Sequence, residues 1–162
     1  MDGGEDVLQE VELRAWRGLI GTFGRLQSVL DSELSAAGSL RLGEYEVMAH
    51  LREAPDGAMR MNELAARCGL SPSGLTRRFD GLAKRGWVER RAFPSDRRGV
   101  LAALTTDGAE VLEHCAPHHV AAVRRHFLSR LSDSEVAVLA EVFGRVSPSN
   151  GSEARAVSGT GS

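Results

Sequence analysis

The stretch SPSGLTRRFDGLAKRGWVERR, Ser71–Arg91, decides the fold. Ser71 is a good N-cap, and Pro72 falls at the first helical position, where its missing N–H costs nothing. Leu75, Phe79 and Leu82 follow at spacings of four and three and mark a buried face. The opposite face carries Ser73, Arg77, Asp80 and Lys84, flanked by Thr76. Gly86 ends the helix, which is predicted over 72–85. The stretch also concentrates Arg77, Arg78, Lys84, Arg85, Arg90 and Arg91 in a chain of net charge −2.

Upstream, Asn62 reads as an N-cap for a short helix from Glu63 to Cys68, and Gly69 as its stop. Two helices across a glycine-containing turn make a helix-turn-helix. Its second member offers Ser71, Ser73, Thr76, Arg77 and Arg78 near its N-terminal half. Hydroxyls and guanidinium groups of this kind bond base edges and phosphates, and arginine grips guanine bidentately. Downstream, 87–92 and 100–104 read as antiparallel strands around the loop 93–99, which holds Arg97 and Arg98. A hairpin directly after such a helix is a wing, whose arginines can enter a minor groove. Asp96 beside them reads as an organiser of the turn.

Apolar residues at three- and four-residue spacing predict further helices over 8–36, 43–53 and 107–129. A capping box at Ser132–Glu135 opens another over 132–146. Residues 147–162, rich in serine and glycine, are expected to be a disordered tail. The expected fold is mainly α with a small β-wing. A winged helix-turn-helix region over 43–106 is joined to helices 8–36 and 107–146, which carry more apolar surface than one small lobe can cover. A second copy would cover it, so 8–36 and 107–146 are expected to form a homodimer.

Ten basic and four acidic residues give 60–98 a net charge of +6, inside a remainder of −8. A basic middle in an acidic body suits a locally anionic partner, with double-stranded DNA the expected one. At 162 residues, 42% hydrophobic and 26% charged, the chain fits a single globular domain. No apolar run reaches the roughly 20 residues of a membrane span. The polar acidic start lacks the pattern of a secretory signal, so a cytoplasmic location and no membrane partner are expected. No phosphate loop, GxSxG, HExxH or paired-carboxylate site is present, which argues against an enzyme. A winged-helix module serving only protein contacts would not need Thr76-Arg77 together with Arg97-Arg98.

Residues 60–108 resemble the winged helix-turn-helix of the MarR family of bacterial transcriptional regulators. The segments that carry the likeness are Met61-Asn62-Glu63-Leu64-Ala65, Ser71–Arg77, Leu82–Arg90, and Asp96-Arg97-Arg98 ahead of Leu104-Thr105-Thr106-Asp107-Gly108. With the helix order around it, the resemblance extends over about 8–146. It implies an obligate homodimer that sets recognition helices into adjacent major grooves and wings into the flanking minor grooves of an inverted repeat. It also implies a repressor released by a small ligand or an oxidant. Half-sites should lie about 34–36 Å apart.

The resemblance places an inducer pocket between the dimer helices and the DNA lobe, with Trp16, Arg17, Phe23, Tyr45, Met48 and His50 as candidate lining. An aromatic acid would suit Trp16 and Arg17; plain core packing is the alternative for each aromatic. His114 and His118, four apart on a helix, share a face that suits zinc. The zinc-responsive branch of the family places a histidine pair there, with His50 and Glu33 as conceivable partners. Surface histidines are the alternative, and no metal or cofactor is expected. The peroxide-sensing branch uses a cysteine near the first helix, whereas residues 1–67 contain none. Cys68 reads as a small buried residue, and Cys115 as reactive only if exposed near a charge that lowers its pKa.

Overall fold

Ser71 does cap the central helix: its Oγ accepts the Gly74 N–H at 3.1 Å. The computed structural model describes residues 7–38, 40–93 and 96–146, and the side chains of 93–99 and the tail expected over 147–162 lie outside that description. Helix α1 spans Glu10–Gly38 and α2 spans Leu42–Glu53. Strand β1 (Ala58–Arg60) leads into α3 (Met61–Arg67) and α4 (Pro72–Lys84). Strands β2 (Val88–Phe93) and β3 (Asp96–Leu104) follow, then α5 (Thr106–His126) and α6 (Asp133–Val146).

Leu75, Phe79 and Leu82 of α4 are buried, as their spacing predicts. They meet Val47, Met48 and Leu51 of α2, Leu64 of α3, and Val88 and Ala102 of the sheet in one core. Each large apolar side chain contributes ~1.5–3 kcal/mol on full burial. Leu34, Leu112 and Cys115 extend this core to α1 and α5. Gly69 and Gly86 have φ of +62° and +77°, left-handed values that suit glycine and stop α3 and α4.

The sheet has the order β1-β3-β2, antiparallel throughout. Strand β1 has only three residues, too few to show a period, and it pairs Met59 with Ala102. That pairing sets the start of the short helix. Helix α3 begins at Met61 with Arg60 at its N-cap, earlier than an Asn62 cap allows. Strand β3 also begins at Asp96, so it takes in residues expected in the loop 93–99.

Thr105 fastens the wing to the body. Its Oγ1 accepts the Gly108 N–H at 3.0 Å, which caps α5, and donates to the Gly86 carbonyl at 2.7 Å. Helix α5 passes through Pro117 and stops at His126, short of the expected 129, giving way to a 3-10 turn at Leu128–Arg130. Glu135 accepts the Ser132 N–H at 2.8 Å, completing the capping box of α6. Among the described residues α6 buries no side chain and α1 only Leu34. Trp16, Leu19, Ile20, Phe23, Val138 and Phe143 stay exposed. No helix of the described residues is long and apolar enough to cross a membrane.

Candidate nucleic-acid interface

The outer face of α4 forms an open groove lined by Ser73, Thr76, Arg77, Asp80, Gly81 and Lys84. Its cations divide by what they touch. Arg90 reaches back to Asp80 at 2.7 Å and lies over the Phe79 ring, 5.0 Å from its centroid. Arg91 pairs with Glu89 at 2.7 Å. Arg85 pairs with Glu44 and stacks 4.1 Å over Trp87. Arg77 and Lys84 are exposed and form no ion pair among the described residues. Asp80, the acid in reach of Arg77 on its own helix, is engaged by Arg90. A guanidinium held by no neighbour is available to an external acceptor without first breaking a bond.

The hydroxyls are partly committed. Ser71 caps α4 and lies 3.3 Å from the Ser73 hydroxyl. Thr76 donates to the Pro72 carbonyl at 2.9 Å, which leaves its oxygen lone pairs free to accept. Arg78 departs from the expectation that it faces DNA. It is half-buried and turns toward α2, where its Nη1 donates to the Gly43 carbonyl at 3.2 Å. A Cβ at Gly43 would overlap that nitrogen, so glycine permits the approach. Position 78 sits one helical step nearer the buried face than 77, and its long stem reaches the neighbouring helix. Arg97 and Arg98 belong to β3, and their side chains lie outside the described residues, as does that of Asp96.

Residues Asp31, Arg41 and Glu44, absent from the sequence reading, stand beside this face. With Gly43, Gly74, Arg77 and Arg78 they line a polar cleft between α1, α2 and α4. The signal that could have found them is the Arg41-x-x-Glu44 spacing, in which the Glu44 carboxylate accepts the Arg41 N–H at 3.0 Å.

The six residues expected to line one inducer pocket do not come together. Trp16 and Phe23, 56% and 58% exposed, line an apolar groove of about 580 Å³ with Leu19, Leu26, Leu139 and Phe143. Tyr45 stands elsewhere, its ring 4.5 Å from that of His119, and Met48 is fully buried in the core. His50 and Arg17 line neither place. Helical spacing placed these residues on apolar faces, but two different faces were involved.

His114 and His118 do share a face, their ring centroids 5.8 Å apart. Among the described residues no third ligand joins them to form a metal-binding group. Glu33 is held by His126 at 2.5 Å and by Arg125 at 3.0 Å, and these partners keep its carboxyl below the usual range. Burial pushes the Cys68 thiol up to about 11 and raises that of Cys115 as well, so neither is a ready thiolate.

A sequence model of the MarR family matches residues 39–99. The chain is 30% identical over 126 residues to the HTH-type transcriptional repressor YetL of Bacillus subtilis, covering 76% of this chain and 75% of YetL. It superposes on Sco3205, a MarR family transcriptional regulator of Streptomyces coelicolor solved in complex with DNA. That match has a TM-score of 0.82 and 34% identity over 90% of this chain and 91% of the other. It likewise superposes on a mutant MarR of Escherichia coli complexed with operator DNA, with a TM-score of 0.75 and 28% identity over 89% and 100% of the two chains. Helix order, wing and sequence agree, and the chain belongs to the MarR family of transcriptional regulators, DNA-binding proteins rather than enzymes.

Proposed function

We propose that this protein is a sequence-specific repressor that binds an inverted-repeat operator as a homodimer and releases it on binding a small molecule. The observation that carries the DNA-facing part is the contrast on α4. Arg77 and Lys84 project from its outer face with no ion pair among the described residues, while Arg85, Arg90 and Arg91 are tied to acids. Ser73, Thr76 and Arg77 then read bases, Ser71 and Lys84 meet phosphates, and Arg97 and Arg98 follow the minor groove from the wing. Arg78 acts through α2 and not on DNA. Relatives solved with DNA support DNA as the partner. Residues 43–106 form the DNA-binding region, and 8–36 with 107–146 the dimerisation region, whose apolar surface a second copy covers. The protein works in the cytoplasm.

The test is fluorescence anisotropy of the purified protein with duplex DNA from its own upstream region, against a scrambled duplex, across a salt series. The expected result is tight binding to the native duplex alone, with log affinity falling linearly with log salt. Absence of binding to either duplex at low salt overturns the reading.

A further inference from the structure

Helix α2 begins at a residue whose side chain cannot accept its first N–H groups. Arg41 stands at its N-cap, and a guanidinium has no acceptor. The acceptor comes from another helix. Asp31 of α1, eleven residues before Leu42, takes the Leu42 N–H on Oδ1 at 2.8 Å. The same carboxylate receives Arg41 twice, Nη2 at 2.9 Å on Oδ2 and Nε at 3.2 Å on Oδ1. It is less than one third exposed, so these bonds are not simply traded for water.

The next two residues of α2 hold α4. The Gly43 carbonyl accepts Arg78 from the middle of α4, and the Glu44 carboxylate accepts both the Arg41 N–H and the Arg85 guanidinium from its C-cap. Residues 41–44 therefore touch α1 on one side and two points of α4 on the other. The polar chain Asp31–Arg41/Leu42–Gly43/Glu44–Arg78/Arg85 is continuous.

From this juxtaposition we infer that Asp31 is a positioning residue, which fixes the angle of α4 to α1 and thereby the separation of the two recognition helices in the dimer. This inference rests on the DNA-binding, dimeric reading for its consequence, but not for its geometry. Asp31 touches no DNA; it acts through the first turn of α2.

Two measurements on the full chain test it, using Asp31→Ala, Asp31→Asn and Arg41→Ala. The first is hydrogen exchange read by peptide, without DNA. Asp31→Ala is expected to speed exchange in residues 72–85 as well as 40–45, and to leave the β2–β3 pairing unchanged. Asp31→Asn, which keeps an acceptor for the Leu42 N–H, is expected to restore most of the protection. Acceleration confined to 40–45, or spread over the whole sheet, overturns the inference.

The second is affinity for duplexes whose half-site separation is varied by one and two base pairs. The wild type should show one optimum. Asp31→Ala should flatten it and lose about fivefold at the best spacing, the scale of a missing cap. Arg41→Ala should fall between. A folded Asp31→Ala protein with the wild-type spacing profile overturns the inference. If the wild type binds no duplex while exchange behaves as expected, the DNA-binding reading fails and the positioning stands.

Discussion

Arg77 is the residue on which the reading is most exposed to test. Replacing it with alanine should cost ~1–3 kcal/mol of specific affinity and relax base preference at one position of each half-site. Binding the operator as tightly as wild type does, by anisotropy, would remove Arg77 from the interface. Gly108 offers a test of the scaffold. A Cβ there would collide with the Trp87 carbonyl oxygen, a backbone atom that cannot swing aside. Gly108→Ala should destabilise by at least the ~1–3 kcal/mol of an overpacked site, visible as a lower Tm. The Leu104-Thr105-x-x-Gly108 pattern was legible in the sequence as a resemblance. Its physical reason, a cap and a backbone contact in the same turn, needed the fold. Arg78 shows the opposite case. Its neighbour in sequence faces outward, and nothing in the local pattern foretells that a glycine 35 residues away leaves room for its guanidinium.

At the scale of elements, the contact of α2 with α5 carries a pH dependence. His119 of α5 is stacked against Tyr45 of α2 with its Nδ1 buried and without a partner among the described residues. Burial lowers its pKa, so the folded state binds its proton less readily than the unfolded chain. The unfolded state therefore takes up the extra proton, and stability falls as pH drops below the ordinary histidine value of ~6.5 toward the lowered folded value. Glu33 adds to the loss further down, as pH falls through its own lowered value. The urea midpoint should decline from about pH 7.5 to about 5.5, a window that brackets that ordinary value. His119→Phe, which keeps a ring against Tyr45, should flatten the upper part of that decline. A wild-type midpoint constant over this range refutes the assignment. Helices were the readily legible elements, because α4 announces itself by a cap, a proline and a three-four stripe. Strand β1 was not, since three residues hold no period and its partner β3 lies far along the chain.

For the whole molecule, the proposed homodimer rests on the exposed apolar stripes of α1 and α6. Phe23→Asp, placed in the groove with Leu139 and Phe143, should shift the protein from dimer to monomer in light scattering after size exclusion, and weaken operator binding with it. A dimer that survives the substitution unchanged locates the interface elsewhere. The charge division between 60–98 and the remainder was legible from counting alone, whereas the sorting of those cations into paired and unpaired was not, because it depends on side chains that meet across α4, β2 and α2. The separation of Trp16 and Phe23 from Tyr45 and Met48 within one chain was hidden for a related reason: a helical wheel shows that a face is apolar without showing which neighbour it meets. One buried sulfur gives the molecule a clock of its own. Cys115 packs where a Cβ on Gly38 would lie 2.8 Å from its Sγ, so a thiol reagent meets it only after the end of α1 has lifted from α5. Cys68, at the C-cap of α3 in the helix-turn-helix, is only partly buried and needs no such parting to react. Pulsed alkylation of the unaltered chain would thus time the parting of α1 from α5 at Cys115, with Cys68 as an internal reference in the same sample. Comparing the Cys115 rate with and without a bound duplex would tell whether DNA holds that contact shut.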